Sequence, residues 1–497
     1  MSFDVLNKTS HSIKTHFQLS RLLNITPHNK HWLTLIVLCL GELMIVLDTT
    51  IVNVALPSIR ADLGFSETSL VWVVNAYMLT FGGFLLLGGR LGDFYGHRKV
   101  FLIGLTLFTM ASLACGLANS QTLLIVARAI QGLGGAVVSA VALSLIMDSF
   151  TEPDERAKAM GVYGFVCAGG GSIGVLLGGL LTSAFSWHWI FLVNLPIGIA
   201  VFILCMQLIP RDHLAADETS HDIGGAITIT ASLMLAVYAI VNGNEAGWLS
   251  NQTIYMLLGA VVLLIAFIFI EQRVKTPLVP LGMFRLRNLA IANTAAVLWA
   301  AAMFAWFFIS ALYMQSVLSY TALQVGLAFL PANIIMAVFS LGISAKLIIR
   351  FGIKKPLVAG LGLAAIGLAL FARMPVEGHF AVDVLPGMLL LGLGAGIAFN
   401  PMLLAAMNDV EPSESGLASG VINTSFMMGG ALGLAILASV AAMQTNRLLD
   451  IGTADVMALN GGYQLAFALA AVFALAGAAL SLFINNKKSE TELSGNS

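Results

Sequence analysis

The stretch LDTTIVNVALP, residues 47–57, sets a carboxylate, Asp48, deep in an apolar run that begins near Leu33. A run of that length is what a helix needs to cross the hydrocarbon of a bilayer, about 20 residues. An acid at the centre of such a helix costs about 2.5 to 3.5 kcal/mol on insertion scales, so it is kept for a reason.

The rest of the chain confirms the solvent. Of 497 residues 10% are charged and 58% hydrophobic, with a mean hydropathy of +0.92, far from the composition of a soluble domain. The balance of 24 Lys plus Arg against 25 Asp plus Glu excludes a nucleic-acid footprint. Cys39, Cys115, Cys167 and Cys205 sit in apolar runs, at spacings that fit neither a zinc site nor a disulfide framework, and read as small reduced hydrophobes. The first 32 residues are polar and basic, and the apolar run after them is too long for a signal peptide.

A 19-residue window finds fourteen spans, at 33–56, 70–92, 100–118, 122–147, 157–184, 189–209, 223–243, 252–270, 289–314, 322–345, 355–373, 384–407, 416–443 and 461–485. An even number puts both termini on one side. Basic residues crowd the loops of that side (Arg90, Arg98, Lys99, Arg156, Lys158, Arg211, Arg273, Lys275, Lys354, Lys355, Lys487, Lys488), while the other keeps Arg60, Arg373 and Arg447. By the positive-inside rule both termini are cytoplasmic.

The loop GRLGDFYGHRK (89–99) is echoed by AKLIIRFGIKK (345–355), which pairs Gly96 with Gly352 and Arg98 with Lys354 at an offset of 256 residues. Two adjacent six-helix halves are shorter than that, so spans 7 and 8 read as an inserted pair. The expected organisation is an arm at 1–32, a six-helix bundle at 33–209, inserted helices and linkers at 210–288, a second bundle at 289–485 and a tail at 486–497. Related bundles facing a midplane site are a transporter arrangement.

Within that frame Asp48 is a proton or cation site, or else a structural acid bonded to a neighbouring helix. Glu42 lies roughly 120° around the helix and about 9 Å along it, so the two acids need not share a site. Glu42 is a second cation contact or pairs with a polar group of another helix. In LIVARAIQGLGGA the residues Arg128, Gln131, Gly132 and Gly135 share one face, where small residues admit another backbone and the guanidinium must find a carboxylate or carbonyls. Arg128 beside Asp48 would hold the acid charged. Span 5, GVYGFVCAGGGSIGVLLGGLL, has eight glycines in 21 residues, which close packing or bending must compensate.

These motifs carry a resemblance over nearly the whole chain. The sequence is similar to the fourteen-span drug:proton antiporters of the major facilitator superfamily, which export quaternary ammonium compounds and other drugs. LDTTIVNVALP resembles their span 1 signature, GRLGDFYGHRK the loop motif G-x-L-x-D-R-x-G-R-R, RAIQGLGGA the span 4 motif, and GGSIGVLLGG (170–179) the antiporter motif G-x-x-x-G-P-x-x-G-G. SWHWIFLVNLPIG and GLASGVINTSFMMGGALG are similar to later stretches. Phe94 and His97 replace basic residues, Val175 replaces the antiporter proline, Glu42 stands where the family is apolar, and Phe426 and Met427 where a polar pair is expected.

The resemblance implies an all-α major facilitator fold, two six-helix bundles plus two central helices. It also implies proton-coupled export of lipophilic, often cationic compounds by alternating access, with coupling at Asp48, Glu42 and Arg128. Asn53, Trp72, Asn75, Tyr77, Gln131, Trp299, Trp306, Asn333, Asn400 and Asn423 are the cavity candidates; the alternatives are packing against lipid or helices for the aromatic residues and interhelical hydrogen bonds for Asn75, Asn333, Asn400 and Asn423. Gly89, Asp93, Gly96, Arg98 and Lys99 form the cytoplasmic gate, in which Asp93 is expected to accept from the first free amides of span 3, and Gly170, Gly174, Gly178 and Gly179 supply the bending that Val175 does not. A proton-coupled importer or a carrier of one metabolite shares the fold. A membrane enzyme or receptor lacks support, since no H-E-x-x-H or G-x-S-x-G occurs, and without a G-x-x-x-x-G-K-[ST] loop no nucleotide or other cofactor is expected. The partners expected are drug, proton and lipid, for a monomer; whether a periplasmic adaptor and outer-membrane channel join it is left open by the sequence.

Overall fold

The structure is a computed structural model that describes residues 27–150, 152–209, 222–275, 277–411 and 414–485. Most of the N-terminal arm, the segment 210–221 with Arg211, and the tail with Lys487 and Lys488 lie outside the described residues. Among the described residues fourteen long helices follow in chain order: α1 (Pro27–Leu63), α2 (Val71–Tyr95), α3 (His97–Gly116), α4 (Gln121–Ser149), α5 (Pro153–Ala184), α6 (Trp189–Leu208), α7 (Ile223–Ala246) and α8 (Asn251–Arg273). After them come α9 (Arg287–Val317), α10 (Ala322–Phe351), α11 (Lys354–Phe371), α12 (Phe380–Met407), α13 (Ser415–Asp450) and α14 (Asp455–Ser481). Among the described residues thirteen are long and apolar enough to cross a membrane, and α5 adds the apolar stretch Ile173–Ala184.

Local chemistry sets the ends. Ser120 and Ser250 cap α4 and α8, and Thr321 with Gln324 forms a capping box at α10. The sequence echo is a structural one: Gly96 ends α2 at φ +93° and Gly352 ends α10 at φ +76°, a conformation that a side chain opposes, and each donates its amide back to the fourth residue before it.

The helices pack in two matching sets. In the first, α4 packs on α2 and α3, and α5 on α1; in the second, α12 packs on α10 and α11, and α13 on α9. The seams between the sets are also equivalent, α5 against α10 and α13 against α2. The hairpin of α7 and α8 stands apart from this symmetry, with α7 laid on both α2 and α13.

Close approach explains the glycines. A Cβ at Gly132 would come 2.3 Å from the Tyr77 carbonyl oxygen of α2, so the face of Arg128 does admit a backbone. On α5, Cβ atoms at Gly170, Gly174 and Gly178 would meet Val46, Thr50 and Ile51 of α1 at 2.9, 2.1 and 2.5 Å, and one at Gly179 would meet the Ala322 oxygen of α10 at 2.6 Å. These four therefore sit where α5 packs closely on α1 and α10, against side chains at Gly170 and against backbone at Gly178 and Gly179, and α5 runs on through Val175 as a single helix. Cys39, Cys115 and Cys205 are buried and unpaired, whereas the side chain of Cys167 lies outside those described.

Candidate functional site

Asp48 has no exposed surface and Arg128 is 1% exposed. Arg128 Nη1 donates to Asp48 Oδ2 and, at 2.7 Å, to Gln131 Oε1, while its Nε donates to the Val73 carbonyl of α2 at 2.8 Å. The other carboxylate oxygen, Oδ1, accepts from Gln131 Nε2 at 2.7 Å and from Asn194 Nδ2 of α6 at 3.1 Å. Gln131 Nε2 also donates to Ser112 of α3 at 2.8 Å. The guanidinium lies 4.4 Å from the centre of the Tyr77 ring and 5.6 Å from that of Phe191.

Five of the first six helices thus converge on one carboxylate. A buried ion pair lasts only where hydrogen bonds satisfy its remaining atoms, and here every polar atom of Asp48 has a donor. What such a site can do chemically is exchange partners: a proton on Asp48 cancels the charge that holds Arg128.

Glu42 is 5% exposed and faces a different neighbourhood. Its Oε1 accepts from Ser139 of α4 at 3.0 Å, and the other group at hydrogen-bonding range is the Tyr163 hydroxyl of α5. Hydroxyls reach it where a guanidinium reaches Asp48.

Residues 38–434 match the Major Facilitator Superfamily. The chain belongs to that superfamily. It is similar to the puromycin resistance protein pur8 of Streptomyces alboniger, 38% identical over 93% of each chain, and to the cephamycin export protein CmcT of Amycolatopsis lactamdurans, 38% identical over 90% of this chain and 91% of that one. The lincomycin resistance protein of Streptomyces lincolnensis is 36% identical over 82% of this chain and 84% of its own. Among solved structures an auto-inhibited POT family peptide transporter superposes with a TM-score of 0.66 at 17% identity, over 92% of this chain and 97% of that one. The xylose transporter XylE from E. coli does so at 0.59 and 14%, over 92% and 99%. These structures share the fold, and membership of the superfamily, with relatives named for drug resistance and export, makes the chain a multi-pass membrane transporter rather than an enzyme.

The remaining residues of this superfamily member fall in several places. Asn75 Nδ2 donates to the Ala431 oxygen of α13 at 2.9 Å, across a seam, and Asn400 Nδ2 donates at 2.6 Å to Ser340, in a π-turn of α10 that leaves this carbonyl available. Asn53 turns back on carbonyls of its own helix. Trp72 packs beside Tyr238 of α7, and Tyr77 stacks on Phe81. Trp299 and Trp306 of α9 are fully buried, Asn333 is 1% exposed, and Asn423 is exposed. Phe426 lies between Phe304 and Phe399, so the apolar substitution in span 13 is filled by aromatic packing.

At the loop 92–99 one expectation is corrected. Asp93 does not cap α3, whose N-cap Gly96 has no side-chain cap bond. Helix α2 continues through Tyr95, which places Asp93 in its last turn, where it accepts from His97 Nε2 at 3.0 Å; His97 Nδ1 faces Asp148 at the end of α4 at 2.9 Å. Arg98 donates to the Met206 oxygen of α6 at 2.7 Å, Lys99 is exposed, and Gly89 packs near Ala140. Asn194 and Ser112 were not singled out from the sequence, although an Asn before the proline of VNLP, where α6 is interrupted at Val193, was the available signal.

Proposed function

We propose that this protein exports lipophilic, often cationic drugs across the bacterial inner membrane in exchange for protons, as a monomer with both termini in the cytoplasm. The observation that carries the reading is the buried Asp48–Arg128 pair, held between two helices of the first bundle. Relatives named for puromycin, cephamycin and lincomycin support drugs as the cargo. Residues 33–209 and 289–485 are the halves that rock, with 210–288 inserted between them, and the gate is the loop from Gly89 to Lys99.

In this mechanism a proton reaching Asp48 releases Arg128 to the Val73 carbonyl and Gln131, and loosens α4 from α1. Re-ionisation on the other side of the membrane restores the pair. Glu42, which accepts from the Ser139 hydroxyl and among the described residues has no salt bridge to break, is the second acid of the coupling scheme. Tyr77 and Phe191 flank the guanidinium and shield it from water. A narrower reading, export of one specific metabolite, is favoured by the probable actinorhodin transporter of Streptomyces coelicolor, 32% identical over 83% of this chain.

The test is proton release from acid-loaded everted vesicles when lipophilic cations or puromycin are added. Wild type releases protons on addition of substrate; Asp48→Asn does not, and Glu42→Gln slows release. Release undiminished in Asp48→Asn removes the coupling role from the pair, and wild type that transports drug without proton movement removes antiport.

A further inference from the structure

Two buried carboxyl groups at the foot of the inserted hairpin have no part in the scheme above. Asp222 is the N-cap of α7: its Oδ1 accepts from the Gly225 amide at 2.7 Å, and the residue is 1% exposed. Glu271, in the last turn of α8, is 4% exposed and accepts from the Val279 amide at 3.2 Å through Oε2. Their other oxygens, Asp222 Oδ2 and Glu271 Oε1, have no donor among the described residues, and the two side chains lie within hydrogen-bonding reach of each other.

Two carboxylates only accept, so facing oxygens in a low dielectric repel unless something positive lies between them. A proton there makes a charge-assisted O–H···O bond. The helices decide which acid holds it. Asp222 sits at a helix N-terminus, where free amides and the dipole favour an anion, whereas Glu271 sits at a C-terminus, where they oppose one.

The surroundings agree. Arg90 of α2 donates to the Pro277 carbonyl, and among the described residues it is the cation whose charge reaches Glu271. Arg273 is turned away over the Phe269 ring at 3.9 Å. Among the described residues half-buried Arg90 and ionised Asp222 already balance, so an ionised Glu271 would add a second buried negative charge.

We propose that Glu271 is a proton-binding site, its neutral carboxyl donating to Asp222 and so joining the ends of α7 and α8 to α2 and to the linker that leads into α9. The site is separate from Asp48 and stands whether or not transport is proton-coupled. Losing this proton loosens the joint at which α2, the hairpin and the linker into α9 meet.

Infrared difference spectra of the purified full-length protein, between about pH 8 and about pH 5, test it. In a background of Asp48→Asn with Glu42→Gln, which removes the two acids of the coupling scheme, a component of the protonated-carboxyl carbonyl stretch is expected, and adding Glu271→Gln should remove that component. The amide of that variant donates to Asp222 as the neutral acid does, so its melting temperature should lose the rise on acidification that wild type shows. Asp222→Asn keeps the helix cap and should shift the band, because the acceptor changes from carboxylate to amide. A component that persists when Glu271→Gln is added to that background, or one unmoved when Asp222→Asn is added, overturns the assignment. So does a wild-type melting temperature raised by sodium at constant ionic strength and indifferent to pH, which would make the occupant a metal cation.

Discussion

The first six helices and the last six are built to one plan and filled differently. In the first, Asp48, Arg128 and Glu42 are buried and a polar network runs through five helices. In the second, among the described residues, every buried polar residue is uncharged, and the equivalent central helix α9 buries Trp299 and Trp306 with indole N–H groups that meet no acceptor. Shared packing with unequal charge teaches that the fold does not need the ions. Of the two bundles, only the first buries charged residues among those described, and the second offers apolar and aromatic surface.

The sharpest way to break this comparison is Arg128→Ala. It leaves Asp48 ionised, buried and unpaired, and should lower stability by about 3 to 5 kcal/mol and abolish transport. Thermal melting in detergent reads the first and vesicle uptake the second; adding Asp48→Asn should recover most of the melting temperature but no transport. A variant as stable as wild type would mean that the pair is not closed in the membrane.

A smaller effect tests the shared plan. Cβ atoms at Gly132 of α4 and Gly392 of α12 would stand 2.3 and 2.2 Å from carbonyl oxygens of Tyr77 and Ala332 respectively. Alanine at either should cost about 1 to 3 kcal/mol, the typical penalty of overpacking, and the two losses should agree within about 1 kcal/mol. A loss confined to one bundle would show that the equivalence is only geometric. Smallest of all, Trp306→Phe removes an indole N–H that has no partner and should change stability by less than about 1 kcal/mol, while altering the preference among drug substrates. Unchanged ratios of transport between puromycin and a lipophilic cation would take Trp306 out of the substrate path.

Much of this was legible in the chain. Long apolar runs read as membrane helices, and a carboxylate and a guanidinium within such runs stand out as groups that need partners, so Asp48 and Arg128 were legible as candidates while their pairing came from the fold. Asn194 and Ser112 did not stand out, because short polar side chains are common in apolar helices and only the fold shows which of them face one carboxylate. Asp93 was read as a cap because its helix was ended at residue 92, and three more residues of α2 turn it toward His97 instead. Asp222 and Glu271 were hidden for the opposite reason: charges are expected at the ends of spans, and nothing in a separation of 49 residues says that these two are buried together.

The position of α7 also makes the molecule lopsided toward its lipid. The seam between α2 and α13 has a protein helix along its outer side, and among the described residues no helix lies over α5 and α10 in the same way. A compound already dissolved in the acyl chains therefore meets one shuttered flank and one bare one, and any lateral entry into this transporter is a one-sided door.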